Sequence, residues 1–70
     1  MKWTKTNPKV AGYYWFKDGL TDVNGVILEV KKEVGRNDFS ASGEQIDFSF
    51  KGGAKSVDND WSDQPIPEPS

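Results

Sequence analysis

The side chains able to do covalent chemistry in this 70-residue chain are few in kind. It contains no histidine and no cysteine. The group that most readily exchanges protons near neutral pH is therefore missing, and so is the most nucleophilic side chain. Neither an imidazole nor a thiolate can hold a metal. The hydroxyls of Ser40, Ser42, Ser49, Ser56 and Ser62 fall in loops or at strand edges, with no histidine to activate them. A paired-carboxylate mechanism needs two acids held across a cleft. A sheet built from so short a chain offers no deep cleft, and its acids fall in loops or on a solvent face. The chain reads as non-enzymatic.

Two further patterns resemble sites and are better read as loops. Asp58-Asn59-Asp60-Trp61-Ser62-Asp63 places oxygen ligands at alternating positions, like the start of a calcium loop. Asp63 stands where such a loop needs glycine, and Pro69 where it needs glutamate. Gly52-Gly53-Ala54-Lys55-Ser56 lacks the spacing of a phosphate loop, and its glycines serve to end a strand. No metal and no cofactor is expected.

The aromatic residues are the richer signal. Three Trp, two Tyr and four Phe are many for this length, and each can bury roughly 150–250 Å². Tyr13, Tyr14, Trp15 and Phe16 could stack bases of a single strand, with Lys2, Lys5, Lys9 and Lys17 nearby in sequence. The charge balance opposes this. The net charge is −2 and the pI about 4.9, and no basic run is large enough for a nucleic-acid footprint. The alternative is that these rings are the core of a chain with little else to build one from. A chain this short buries only about 60% of the surface its unfolded form exposes, and no disulfide reinforces it.

Strand formers and turn residues position these rings. Asn7-Pro8 is a turn signal, with Trp3 ahead of it as an anchor onto the sheet. The segment 12–17 predicts a strand that is aromatic on both faces, Tyr13 and Trp15 one way, Tyr14 and Phe16 the other. Asp18-Gly19 ends it, and Thr21 to Gly25 reads as loop. Val26 to Val34 alternates, with Val26, Leu28 and Val30 on one face and Glu29, Lys31 and Glu33 on the other. Gly35-Arg36-Asn37 predicts a hairpin turn into a short strand over 38–42, with Phe39 and Ala41 inward. The last strand is predicted over 45–51, with Ile46, Phe48 and Phe50 inward. Residues 54–60 are polar, with Val57 touching the core. No apolar stretch reaches the roughly 20 residues that span a bilayer.

The expected fold is all-β: a single small domain over residues 1–70, an antiparallel meander of three to four strands, SH3-like or an open sheet. Its tail, 61–70, is extended by Pro65, Pro67 and Pro69. A strand with rings on both sides needs cover on both. The tail is therefore expected to lie across the sheet against Trp15 or Tyr13, near Trp3. The binding surface read from the sequence is Tyr13, Trp15, Trp61, Pro65 and Pro67. The proline tail could instead be offered to an aromatic groove on another protein.

Trp3, Pro8-Lys9-Val10-Ala11-Gly12-Tyr13-Tyr14-Trp15, a valine-rich strand, and Trp61 followed by Pro65-Ile66-Pro67-Glu68-Pro69 together resemble a class of short phage and prophage proteins of unknown function. Their plan is an early tryptophan, a P-x-x-x-G-Y-Y-W-type strand, a variable middle and a closing W-x-x-x-P-I-P-x-P tail. Residues 36–60 take no part in the resemblance. It implies a phage or prophage origin and a life in the cytoplasm of a bacterial host, in keeping with an N-terminus that lacks an apolar signal core. It carries no catalytic residue over. The functional expectation is an accessory protein that binds a host or phage protein. The alternatives are a binder of single-stranded nucleic acid or a small ligand through residues 13–16, and a structural part of a phage assembly. Homo-oligomerisation is the other route by which so small a domain gains stability.

Overall fold

The computed structural model describes residues 2–19, 23–44 and 46–67. Six strands form one antiparallel sheet: β1 (Trp3–Thr4), β2 (Gly12–Asp18), β3 (Val23–Lys32), β4 (Asp38–Ser42), β5 (Asp47–Lys51) and β6 (Asn59–Ser62). Their order is β1-β6-β2-β3-β4-β5. The all-β class and the β2-to-β5 meander are as the sequence predicts. The strand count is corrected from three or four to six. The two extra strands, β1 and β6, have two and four residues and add to the far side of β2. Among the described residues no helix is long and apolar enough to cross a membrane.

The core occupies one face. Tyr14 and Phe16 of β2, Leu28 and Val30 of β3, Phe39 and Ala41 of β4, and Trp61 of β6 are buried there, with Val26, Ile46, Phe48 and Phe50 packed against them. Trp61 is fully buried, at 0% exposure. Its ring centroid lies 4.7 Å from Phe16 and 5.2 Å from Phe50, and 6.0 Å from both Phe48 and Tyr14. Phe48 and Phe50 belong to β5, the edge farthest from β6 in the sheet order. These contacts require a sheet curled until its two ends meet around one indole, although β1 and β5 do not pair and the sheet stays open.

Asn7 fastens this junction. Its side-chain carbonyl accepts from the Trp61 indole N–H at 3.1 Å, and its amide nitrogen donates to the Lys51 carbonyl at 3.1 Å. The main chain follows: Asn7 N–H donates to the Ala54 carbonyl and Gly53 N–H to that of Asn7. The Asn7-Pro8 turn thus bridges the curled sheet, with Pro8 buried beneath it. Gly52 does more than end β5. A Cβ there would sit 2.5 Å from Phe39 Cε1 and 3.1 Å from the Pro8 carbonyl oxygen.

Three local expectations change. Val23 to Gly25 are strand, not loop, while Thr21 and Asp22 lie outside the described residues. The cause is a bulge: Phe16 faces Val26 but Lys17 faces Asn24, which leaves Gly25 as the extra residue at φ 74°. A glycine that reads as a breaker is here the left-handed bulge position. Val57 does not touch the core, being 83% exposed. The last hairpin strand starts at Asp47, not Gln45, which lies outside the described residues.

Trp61→Ala removes the ring that four others pack against, at an expected cost of about 3–5 kcal/mol. Truncation after Asp60 removes the same ring and more. A domain this small holds about 3–5 kcal/mol in total, so urea titration should find both variants largely unfolded. A folded Trp61→Ala protein with near-native stability would contradict the packing described. Burial also pushes the Tyr14 hydroxyl above its ordinary pKa, while it donates to the Val10 carbonyl at 2.9 Å. The folded protein thus holds that proton more tightly than the unfolded chain. Stability from this group is complete below the unfolded value, about 10, and is lost as pH rises through the higher folded one. Tyr14→Phe should cost roughly 0.5–1.5 kcal/mol at neutral pH and reduce the alkaline loss. Parallel alkaline losses in variant and wild type would contradict this.

Candidate functional site

The second face of the sheet holds the candidate residues. Alternation sends Tyr13, Trp15 and Lys17 of β2 away from the core. Register then sets their neighbours: Trp15 faces Ile27, and Tyr13 faces Glu29. On the other side of β2, the Trp15 N–H donates to Ser62 Oγ at 3.1 Å, and Trp3 of β1 faces Ser62. A row of Trp3, Ser62, Trp15 and Ile27 therefore crosses four strands. Ser62 lies between the two tryptophans and is only 2% exposed. Trp3 is 38% exposed, with the Lys17 ammonium 4.5 Å from its ring centroid, a cation–π contact.

The tail joins this face from the side, not from above. Ile66 N–H donates to the Tyr13 carbonyl at 2.8 Å and pairs with Tyr13 in the antiparallel sense. Residues 62–66 continue the line of β6 along the edge of β2, and Ser62 Oγ turns the chain by donating to the Gln64 carbonyl. The expectation of a cover laid across the rings is corrected, although the tail through Ile66 is part of the fold. The reason lies in the backbone. The β2 edge beyond Phe16 offers the Trp15 N–H and the Tyr13 carbonyl, and the tail satisfies both. Prolines cannot donate. Pro65 and Pro67 alternate with Ile66, so they occupy positions whose N–H would face away from β2. Pro65 packs so close to Gly12 that a Cβ there would meet it at 3.2 Å. Glu68 and Pro69 lie outside the described residues.

The surface read from the sequence is thus divided. Tyr13 and Trp15 share the outer face, half-buried. Trp61 is on the opposite face, at the centre of the core, and leaves the list of surface residues. Pro65 and Pro67 are exposed on the tail. Two acidic residues of the calcium-like segment are otherwise engaged: Asp60 takes Lys5 at 3.1 Å and Lys17 at 3.9 Å, and Asp63 accepts from the Lys2 N–H at 3.4 Å.

Sequence reasoning missed an open groove of about 590 Å³ at one end of this face. Tyr13, Trp15, Ile27, Glu29, Glu44 and Ile46 are among the residues that line it. A readable sign was present: Ile27 has the outward parity of Glu29 and Lys31 yet is apolar. Alternation sets Ile46 inward with Phe48 and Phe50, but neither it nor Glu44 gives a sign of meeting the outer rings at this groove. Among the described residues, the groove walls carry two carboxylates and no lysine or arginine. Compared with known proteins, the chain matches no family, no curated protein and no solved structure.

Proposed function

We propose that this is a non-enzymatic accessory protein that acts by binding another protein through the outer face of its sheet. The observation that carries the reading is the half-exposed pair Tyr13 and Trp15, set beside Ile27 over the groove of about 590 Å³. Large rings on a rigid sheet offer contact area at little entropic cost, and tryptophan and tyrosine are the residues on which protein interfaces most often concentrate their energy. The chain has no histidine or cysteine for acid–base or thiol chemistry. The resemblance of its ends to short phage and prophage proteins supports a partner from a bacterial host or from the phage itself, met in the host cytoplasm.

Stacking of single-stranded nucleic acid on the same rings is the weaker reading. Lys17 is close to this face, but it is held over Trp3 and near Asp60. The groove beside Trp15 presents Glu29 and Glu44, which repel a phosphate backbone.

The test is affinity capture from host lysate with the wild-type protein and with Trp15→Ala. The substitution lies outside the core and should cost roughly 1 kcal/mol of stability, which circular dichroism will check. One protein recovered by the wild type and lost with Trp15→Ala is the expected result. No specific partner, or fluorescence quenching by a single-stranded oligonucleotide in its place, would refute the reading. A partner recovered equally by both proteins would move the surface away from Trp15.

A further inference from the structure

The groove lies beside an unfinished strand edge. The ladder between β3 and β4 runs from Lys32–Phe39 to Glu29–Ser42 and stops. β3 itself extends back to Val23. Among the described residues, nothing pairs with residues 23–28 on that side. Alternation identifies the exposed groups. The Glu33 N–H donates to the Asp38 carbonyl at 2.8 Å, so residues 33, 31 and 29 turn their amides and carbonyls toward β4. Ile27 is next in the series. Its carbonyl faces the space into which β4 does not continue: a Cβ built on Gly43, where the chain turns off, would stand 3.3 Å from the Ile27 oxygen.

Both faces of the sheet become reachable where a strand ends, and the groove shows it. It is lined from the outer face by Tyr13, Trp15 and Ile27 and from the core side by Leu28 and Ile46. Unpaired main-chain groups flanked by apolar walls on both faces are what an added strand requires: hydrogen bonds from its backbone, and alternate side chains to either side. The charge selects the occupant. Among the described residues, Glu29 and Glu44 line the groove without a cation among its walls. Lys31 is 3.9 Å from Glu29 with both groups exposed, a pair that is easily exchanged.

We propose that the β3 edge at Ile27 is a strand-addition site for an extended segment of another protein, apolar at alternate positions and flanked by lysine or arginine. This rests on the protein-binding reading above and gives it a place, a geometry and a partner chemistry. The strand would take up the Ile27 N–H and carbonyl, set an apolar side chain against Trp15 and Ile27, and bring its cations to Glu29 and Glu44.

The test is selection of a random-peptide display library on the intact protein, then amide chemical-shift mapping with one synthetic peptide from the enriched set. The expected peptides alternate apolar residues and carry Lys or Arg, and the shifts centre on residues 25–29. Glu44→Lys, a turn substitution, should leave the free spectrum folded and weaken that peptide about fivefold. Shifts centred on Trp3 and the tail, enrichment of acidic peptides, or unchanged affinity in Glu44→Lys would overturn the proposal. So would concentration-dependent shifts of residues 25–29 without peptide, which would assign the edge to a second copy of this chain. Failure of any peptide to enrich would overturn it too. A lysate partner still lost with Trp15→Ala would then leave the broader reading standing.

Discussion

The Trp61 indole is packed between residues that would be far apart in a flat sheet. Phe16 adjoins it through the β6–β2 ladder, while Phe48 and Phe50 come from the opposite edge. Among the described residues there is no second layer to bury a sheet face against, so the sheet covers its own face by curling. The ring is the wedge around which it curls. Asn7 then ties the indole N–H to the β5 backbone, which gives the one polar atom of the wedge a partner. Burying a side chain of roughly 150–250 Å², at about 25 cal/mol per Å², is worth about as much as the whole domain has to spare. The short strands β1 and β6 exist because this contact holds them there.

Curling decides what is left outside. With Tyr14, Phe16 and Trp61 committed to the concave side, Tyr13 and Trp15 face the convex side, which the tail flanks without covering. The edges are treated unequally. The tail seals β2 with the hydrogen bond of Ile66 between two prolines. The β5 edge carries Asp47 and Lys51, and Lys51 pairs with Asp38 across the ladder, charges of the kind that discourage edge-to-edge pairing. At the β3 edge, residues 23–28 have apolar Val26, Ile27 and Leu28 among them and groove walls on either face. Among the described residues, the β5 edge is thus guarded by charge and residues 23–28 of the β3 edge are not paired by β4.

Much of the fold was legible because it rests on local alternation. The inward sets Val26-Leu28-Val30, Phe39-Ala41 and Phe48-Phe50 could be read directly, and so could the double-sided strand at Tyr13–Phe16. What was not legible depends on contacts distant in sequence. Asn59-Asp60-Trp61-Ser62 is polar around its one large ring and looks like loop. It becomes a strand only because β2 has an edge to pair and the core has room for an indole. Gly25 signals a break, and only register with β2 makes it a bulge. Of the residues read as a binding surface, parity places Tyr13 and Trp15 on the outer face, while Trp61 is in the core because it pairs in β6 and does not lie with a tail laid across the rings. Ile46 reads as inward by the same alternation, but its place at the groove, and that of Glu44, does not follow from any local pattern.

The environment of one ring decides whether the sheet curls in this way. Trp3→Phe combined with Trp15→Phe leaves Trp61 as the only tryptophan, with the core untouched. In the folded protein its emission should be blue-shifted and almost insensitive to acrylamide, and both properties should vanish together in a single cooperative urea transition. Emission like that of free tryptophan, with full quenching, from a variant that still unfolds cooperatively would show that the sheet does not close around this indole.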